Sequence, residues 1–196
     1  MSVVEEDLVR RLRERLAQQA ERAGVLDVAY RTLDSPLGPL LLAATSEGVV
    51  RVAFEQQGHD AALEDLAQRV SPRVLRAPAR LDPLVRELEE YFAGRRTAFD
   101  VPVDLVLAGQ GFRRSVLEAL RRVGFGIRIS YRDLAGDVGN PGAVRAVGTA
   151  CARNPVPLLL PCHRVVRSDG GSGQYAGGAE AKDRLLHLER RVRVGT

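Results

Sequence analysis

The sequence predicts an α/β (α+β) protein, with an N-terminal antiparallel sheet and helices followed by a mainly helical C-terminal domain. Three observations carry that expectation. Short apolar runs at residues 28–32, 38–45 and 49–54 are separated by Asp34-Ser-Pro-Leu-Gly38 and Ser46-Glu-Gly48, residue types that turn a chain, so an antiparallel meander is expected. Beyond His59 the apolar residues recur at helical spacing instead. At Ala108-Gly-Gln-Gly111 the chain changes character, and its charge changes too: residues 1–100 hold 14 Arg against 17 Asp and Glu, a balance of −3, whereas residues 101–196 hold 14 Arg, one Lys and 8 acids, a balance of +7.

With 196 residues, 45% hydrophobic and 28% charged, the chain can bury real cores without staples. No run approaches the roughly 18 to 20 apolar residues of a membrane span, and the N-terminus opens acidic (Met1-Ser-Val-Val-Glu-Glu-Asp7), so a soluble cytoplasmic protein with no membrane partner is expected. Two cysteines, Cys151 and Cys162, cannot form a disulfide framework. No metal site is expected either: His59 and His187 are isolated, His163 directly follows Cys162, and residues 1–100 lack Cys. Nothing in the sequence calls for a cofactor.

The elements follow in order. Residues 5–22 place Leu8, Leu12, Leu16 and Ala20 on one face of an amphipathic helix, expected to pack on the body or on a partner. This extension spans residues 1–27, and an N-terminal α/β domain follows over 28–107, with helices at 59–70 and 83–93. Residues 108–196 make the C-terminal domain, opening with a helix at 112–122 that buries Val116, Leu117 and Leu120. Ser130 with Asp133 three residues on has the form of a helix N-cap, Gly139-Asn-Pro-Gly142 is a turn, and a second helix covers about 143–152. Two short helices about a turn suggest a helix-turn-helix, although such pairs also occur as plain core packing. Val144, Val147 and Cys151 share one face of the second helix, which leaves Arg145, Gly148, Thr149 and Ala152 on the other. That nearly bare face lacks the long polar side chains of a major-groove reader; it suits close approach to a narrower groove, with Arg145 as a projecting probe.

The basic excess sits in residues 110–167, with ten Arg against three acids, and suggests a polyanionic partner. After Asn154-Pro155, residues 156–160 read as a short apolar strand ending at Pro161-Cys162-His163-Arg164-Val165. A thiol there needs a base or a positive charge to become nucleophilic, and His163 and Arg164 are the local candidates; an inert buried Cys is the alternative.

Pro161-Cys162-His163-Arg164-Val165 resembles the O6-alkylguanine-DNA alkyltransferases (methylated-DNA–protein-cysteine methyltransferases), together with Arg145-Ala-Val-Gly148, Asn154-Pro155, Gly173-Gln-Tyr175-Ala-Gly-Gly178, Lys182 and Leu185-Leu-His-Leu-Glu189. The likeness is strong over residues 112–189 and looser over 28–107. It implies DNA repair by irreversible, stoichiometric transfer of an alkyl group from guanine O6 to Cys162, with double-stranded DNA containing alkylated guanine as partner and a monomer as acceptor. By resemblance, Glu189 orients His163, which draws the Cys162 proton through a water. Tyr131 and Arg145 flip the nucleotide and fill its place, and Gly148, Thr149 and Arg153 complete the DNA surface. Tyr175 walls the guanine, the backbone at Cys162 and Val165 accepts from it, Asn154 is a hinge, and Lys182 with the loop 170–178 closes the pocket. Gln110-Gly-Phe-Arg113 and Val123-Gly-Phe-Gly126 depart from the family's Thr-x-Phe-Gln and Ile-Pro-x-Gly, and Arg190 stands where Gly is common. A lesion sensor without effective transfer and a transferase for a small alkylated metabolite are the rival readings.

Overall fold

The computed structural model describes residues 3–171 and 173–194. Helix α1 (Val3–Arg22) precedes a four-stranded sheet of β1 (Val28–Leu33), β2 (Leu40–Ala44), β3 (Val49–Phe54) and β4 (Val74–Arg76), with α2 (His59–Arg69) and α3 (Asp82–Phe92). The strand order is β3-β2-β1-β4. The first three strands form the expected meander, but β4 pairs parallel to β1, Val28 against Val74, so the sheet is mixed rather than antiparallel. With three residues and no fully buried side chain, β4 is too short to show an apolar rhythm.

Strand β2 is buried on both faces, as its unbroken Leu-Leu-Leu-Ala-Ala requires. Leu41 and Ala43 turn toward α2, against Ala62 and Leu66 respectively. Leu40 and Leu42 turn the other way, into a core that continues through Leu88 and Tyr91 of α3 to Val116, Leu134, Val147, Cys162 and Leu185. One apolar core thus runs from the sheet to the C-terminal helices. The outer edge of β3 is covered by the chain itself, since Val52 N–H donates to Pro155 O at 2.9 Å and Val49 bridges Val103.

The C-terminal part comprises α4 (Phe112–Leu120), β5 (Ile129–Ser130), α5 (Tyr131–Asp137), α6 (Val144–Ala152), β6 (Val165–Val166) and α7 (Gly178–Val194). Ser130 caps α5 as expected: its Oγ accepts from Asp133 N at 3.1 Å, and Asp133 Oδ2 accepts from Ser130 N at 3.2 Å. Helices α5 and α6 form the helix-turn-helix pair.

Two expectations need correction. Residues 156–160 do not form a strand but a run of turns. Pro155, Pro157 and Pro161 have no N–H to give a ladder, Asn154 Oδ1 captures Val156 N at 3.0 Å, and Leu158 sits at φ 76°. Helix α1 packs on the body through only one residue of its expected face: Ala20, with Ala17 beside it, meets Leu26, Ala29 and Ala77, while Leu8, Leu12 and Leu16 are more than half exposed. Small side chains admit a close approach there, and Arg80 reinforces it by pairing with Glu21 at 2.7 Å and donating to Leu26 O at 3.0 Å.

Gly48, in the β2–β3 turn, has φ 143°, and a Cβ there would lie 2.4 Å from Pro102 O. Gly48→Ala is expected to cost about 2 kcal/mol or more in urea unfolding, through backbone strain and a clash with rigid main chain. Gly139→Ala, where φ is 76° with open space around the Cβ, should cost about 1 kcal/mol.

Candidate active site

The thiol lies at the start of a single helical turn (Cys162–Arg164) that follows the proline-rich segment. Pro161, at φ −78° and ψ 62°, makes an inverse γ-turn, and Cys162 N donates to Leu160 O at 2.7 Å. This turn, rather than a strand end, fixes the sulfur. Cys162 is 2% exposed, and its Sγ lies 3.2 Å from Asn154 Nδ2. The same amide nitrogen donates to Leu160 O at 2.8 Å, while Asn154 Oδ1 holds Val156 N. Asn154 therefore ties the end of α6 to the thiol turn.

Burial pushes the Cys162 thiol up to about 11, against the lowering effects of the Asn154 amide and the Lys182 ammonium. The thiolate fraction at neutral pH is then on the order of 10⁻⁴, so the group needs a proton acceptor. His163, next in the chain and fully buried, offers one. Its Nε2 lies 2.8 Å from Glu189 Oε1. An ionised carboxylate only accepts, so Nε2 carries the hydrogen and Nδ1 is the bare acceptor. Nδ1 has no protein hydrogen-bond partner among the described residues. Burial lowers the imidazole pKa, with the Glu189 contact opposing, which leaves the ring neutral.

Glu189, on the inner face of α7, is wholly buried. Besides His163, its oxygens accept from Tyr91 Oη at 2.8 Å, Arg164 Nη2 at 2.9 Å, Arg164 Nε at 3.0 Å and Gly126 N at 2.9 Å. Burial alone would raise this carboxyl, but His163 and Arg164 hold it at about 2. Arg164 also donates to Val123 O. Because Arg164 neutralises Glu189, the imidazole need not be cationic to keep its partner.

Around the sulfur, Val165 is buried and its carbonyl receives Lys182 Nζ at 2.6 Å, which occupies one of two lone pairs. Lys182 is buried, 5.9 Å above the Tyr131 ring. Tyr175 is 8% exposed; its hydroxyl is buried without a partner among the described residues, and its ring stands edge-on to Phe54 at 5.5 Å and to His163 at 6.2 Å. Tyr131 is half-buried and pushed up to about 12, first by burial and then by Cys151 and Cys162. The glycine loop leans on it: a Cβ at Gly173 would lie 2.6 Å from Tyr131 Oη. Within that loop Ser172 lies outside the described residues. On α6, Arg145 and Thr149 are exposed, Gly148 is half-buried with open space where a Cβ would be, and Arg153 is exposed just past the helix end. Cys151 is buried on the inner face, its thiol pushed well up by burial.

Two family models match the chain: the 6-O-methylguanine DNA methyltransferase ribonuclease-like domain over residues 28–105 and the DNA binding domain of the same family over residues 111–191. A methylated-DNA–protein-cysteine methyltransferase of Mycolicibacterium paratuberculosis is 37% identical over 84% of this chain and 93% of its own length. The chain belongs to the 6-O-methylguanine DNA methyltransferase family. The constitutive methylated-DNA–protein-cysteine methyltransferase of Bacillus subtilis is likewise 37% identical, over 82% of this chain and 94% of its own. Among solved structures, that of Mycobacterium tuberculosis OGT in complex with DNA is similar, with a TM-score of 0.73, 36% identity, and coverage of 84% of this chain and 94% of that chain.

For a member of this family, the sequence placed Cys162, His163, Glu189, Asn154, Val165, Lys182 and Tyr175 together, and the structure gathers these seven around the thiol turn. Tyr131 borders the group; Arg145, Gly148 and Thr149 lie on the outer side of α6, and Arg153 just past its end. Two supports, Tyr91 and Gly126, were missed, and a third, Arg164, had been assigned to the thiol. Tyr91 comes from the acidic half, where no candidate had been named, and only its place on the apolar stripe of α3 hinted at burial. Arg164 serves Glu189 rather than the thiol. Gly126, at φ 69°, brings its N–H to Glu189, and its signal was the one glycine retained in a motif that otherwise departs from the family.

Because Glu189 is held at about 2 against an ordinary 4.5, its share of stability is full above pH 4.5 and is lost as pH falls toward 2. Neutral His163 adds a loss that begins below its ordinary 6.5. Glu189→Gln should remove the lower part of that acid transition and cost about 3–5 kcal/mol at pH 7, by stranding Arg164; denaturant unfolding across pH measures both. Tyr91→Phe should cost about 1–3 kcal/mol in the same measurement.

Proposed function

We propose that the protein repairs DNA by moving the methyl or other alkyl group of O6-alkylguanine onto its own Cys162. The observation that carries this is a buried thiol whose chain neighbour is a neutral imidazole with a bare Nδ1, held by an ionised Glu189 that Arg164 neutralises. His163 takes the Cys162 proton through a water, the sulfur attacks the alkyl carbon, and the C–O bond breaks; guanine leaves as its anion and takes up a proton at N1, which balances the one lost from sulfur. A thiolate is a poor leaving group from the alkyl carbon of the thioether product, so the alkyl group stays on Cys162 and each molecule acts once.

Guanine O6 cannot reach a buried sulfur while stacked, so the nucleotide leaves the helix at a cost of a few kcal/mol. α6 suits approach through the minor groove: its outer face is small apart from Arg145, which fills the vacated stack, while Tyr131 turns the phosphate. Gly148, Thr149 and Arg153 meet the backbone, which gives binding without sequence readout, as suits damage in any context. Tyr175 walls the guanine with its unpartnered hydroxyl, and Lys182 with the glycine loop closes the pocket. Among the described residues no helix is long and apolar enough to cross a membrane. A thiol directly followed in the chain by a neutral imidazole that Glu189 holds favours transfer over mere sensing.

Intact-mass measurement after incubation with a duplex carrying O6-methylguanine should show one added methyl per protein and never more, and none on Cys162→Ser. Binding without any gain would replace transfer with lesion sensing. His163→Ala should slow the transfer by roughly 10²-fold or more if the ring removes the proton.

A further inference from the structure

Away from the thiol, the fold gathers four guanidinium groups where its two halves meet. Arg51 lies on β3, Arg69 ends α2, Arg113 is in the first turn of α4, and Arg153 follows α6. Arg69 Nη2 and Arg113 Nη1 donate to the same carbonyl, Leu107 O, at 2.8 and 3.3 Å, and Arg113 Nη2 donates to Arg153 O. Among the described residues Asp65 is the one acid that pairs with any of the four; it lies 3.4 Å from Arg51 and 3.2 Å from Arg69. Among the described residues, the Nε groups of Arg51 and Arg113 are buried without a hydrogen-bond partner. Burial lowers the Arg113 pKa, and Arg69, Arg153 and Arg51 lower it further by like-charge repulsion. Asp65 offsets part of the charge of Arg51 and Arg69, while the carbonyls that hold Arg69 and Arg113 do not neutralise them; an anion would offset the remainder.

The row has a direction. Arg145, Thr149 and Arg153 follow one another at four-residue spacing, so the exposed face of α6 leads to Arg153. From there the contacts pass through Arg113 and Leu107 O to Arg69, and through Asp65 to Arg51. We infer that this row is a phosphate track that carries the flanking backbone of the bound duplex off α6 and onto the N-terminal half, with Arg69 and Arg51 as contacts from the half whose net charge is negative. Guanidinium forks suit phosphate oxygens in a way that a diffuse positive surface does not. The inference rests on the DNA reading above and widens its footprint. Arg69, with 45% of its side chain exposed, is the natural probe.

The test measures fluorescence-anisotropy binding of the Cys162→Ser protein to undamaged and O6-methylguanine duplexes of about 10 and about 30 base pairs, across a salt series. On the longer duplex Arg69→Gln should weaken binding at least about threefold near 0.1 M salt and reduce the log–log salt slope by about one; Arg69→Glu should do more, and Arg69→Lys should keep the slope. On the shorter duplex, which ends before the track, all variants should match the parent. Parental affinity and slope on both lengths would overturn the inference. So would equal losses on both lengths, or a loss in Arg69→Lys as large as in Arg69→Gln, since either would mean a structural role. Binding to undamaged duplex is read without any transfer step, so failure of the methyl-transfer reading leaves this test intact.

Discussion

A single buried carboxylate organises the site. Glu189 receives donors from α3, from the turn before β5 and from two residues of the thiol turn, while itself belonging to α7. A charge taken out of water is tolerated only if its acceptors are filled, so the elements that supply donors are positioned relative to one another by that requirement. The consequence for chemistry is a division of roles around the ion. Arg164 supplies the counter-charge, Tyr91 and Gly126 supply neutral donors, and His163 is left uncharged with one nitrogen fixed and the other bare. An imidazole held by a carboxylate without Arg164 would be drawn toward the cationic form and would lose its capacity to accept a proton.

The N-terminal half is part of this arrangement despite its acidic balance. Tyr91 reaches the carboxylate, the Phe54 ring meets Tyr175, Gln56 Nε2 donates to Ala176 O at 2.6 Å, and Val52 holds Pro155. The glycine loop is fitted to the same surface: a Cβ at Gly177 would lie 2.7 Å from the Phe54 ring. The sheet therefore backs the pocket wall and anchors both chain segments that flank the thiol turn.

Much of this was legible in the sequence because it rests on local chemistry. The meander, the Ser130 cap and the paired helices each follow from residue type and spacing within a dozen positions, while Glu189 was named through the family resemblance. The rest depends on contacts that spacing cannot encode. The parallel strand β4 is three residues long and gains its place only by pairing with β1. The apolar run at 156–160 has the composition of a strand, yet its flanking prolines and the Asn154 side chain take the hydrogen bonds a strand needs. In α1 the leucines form the stronger pattern, but two alanines make the contact, because closeness rather than apolar area decides how that helix seats. Tyr91 and Glu189 are 98 residues apart, and nothing in the sequence around Tyr91 marks its hydroxyl as a partner for that carboxylate.

The proline-locked turn that holds Cys162 also determines which participant must move. Its sulfur has neither the side-chain length nor the backbone freedom to go out and meet a target: a γ-turn precedes it, Asn154 grips it, and the helical turn that follows is fastened to α7. All the travel therefore falls to the nucleotide, and the protein's part of the reaction coordinate is close to stationary. A centre of this kind discriminates by arrival: whatever cannot complete the journey into the pocket is never exposed to the nucleophile, however reactive it is.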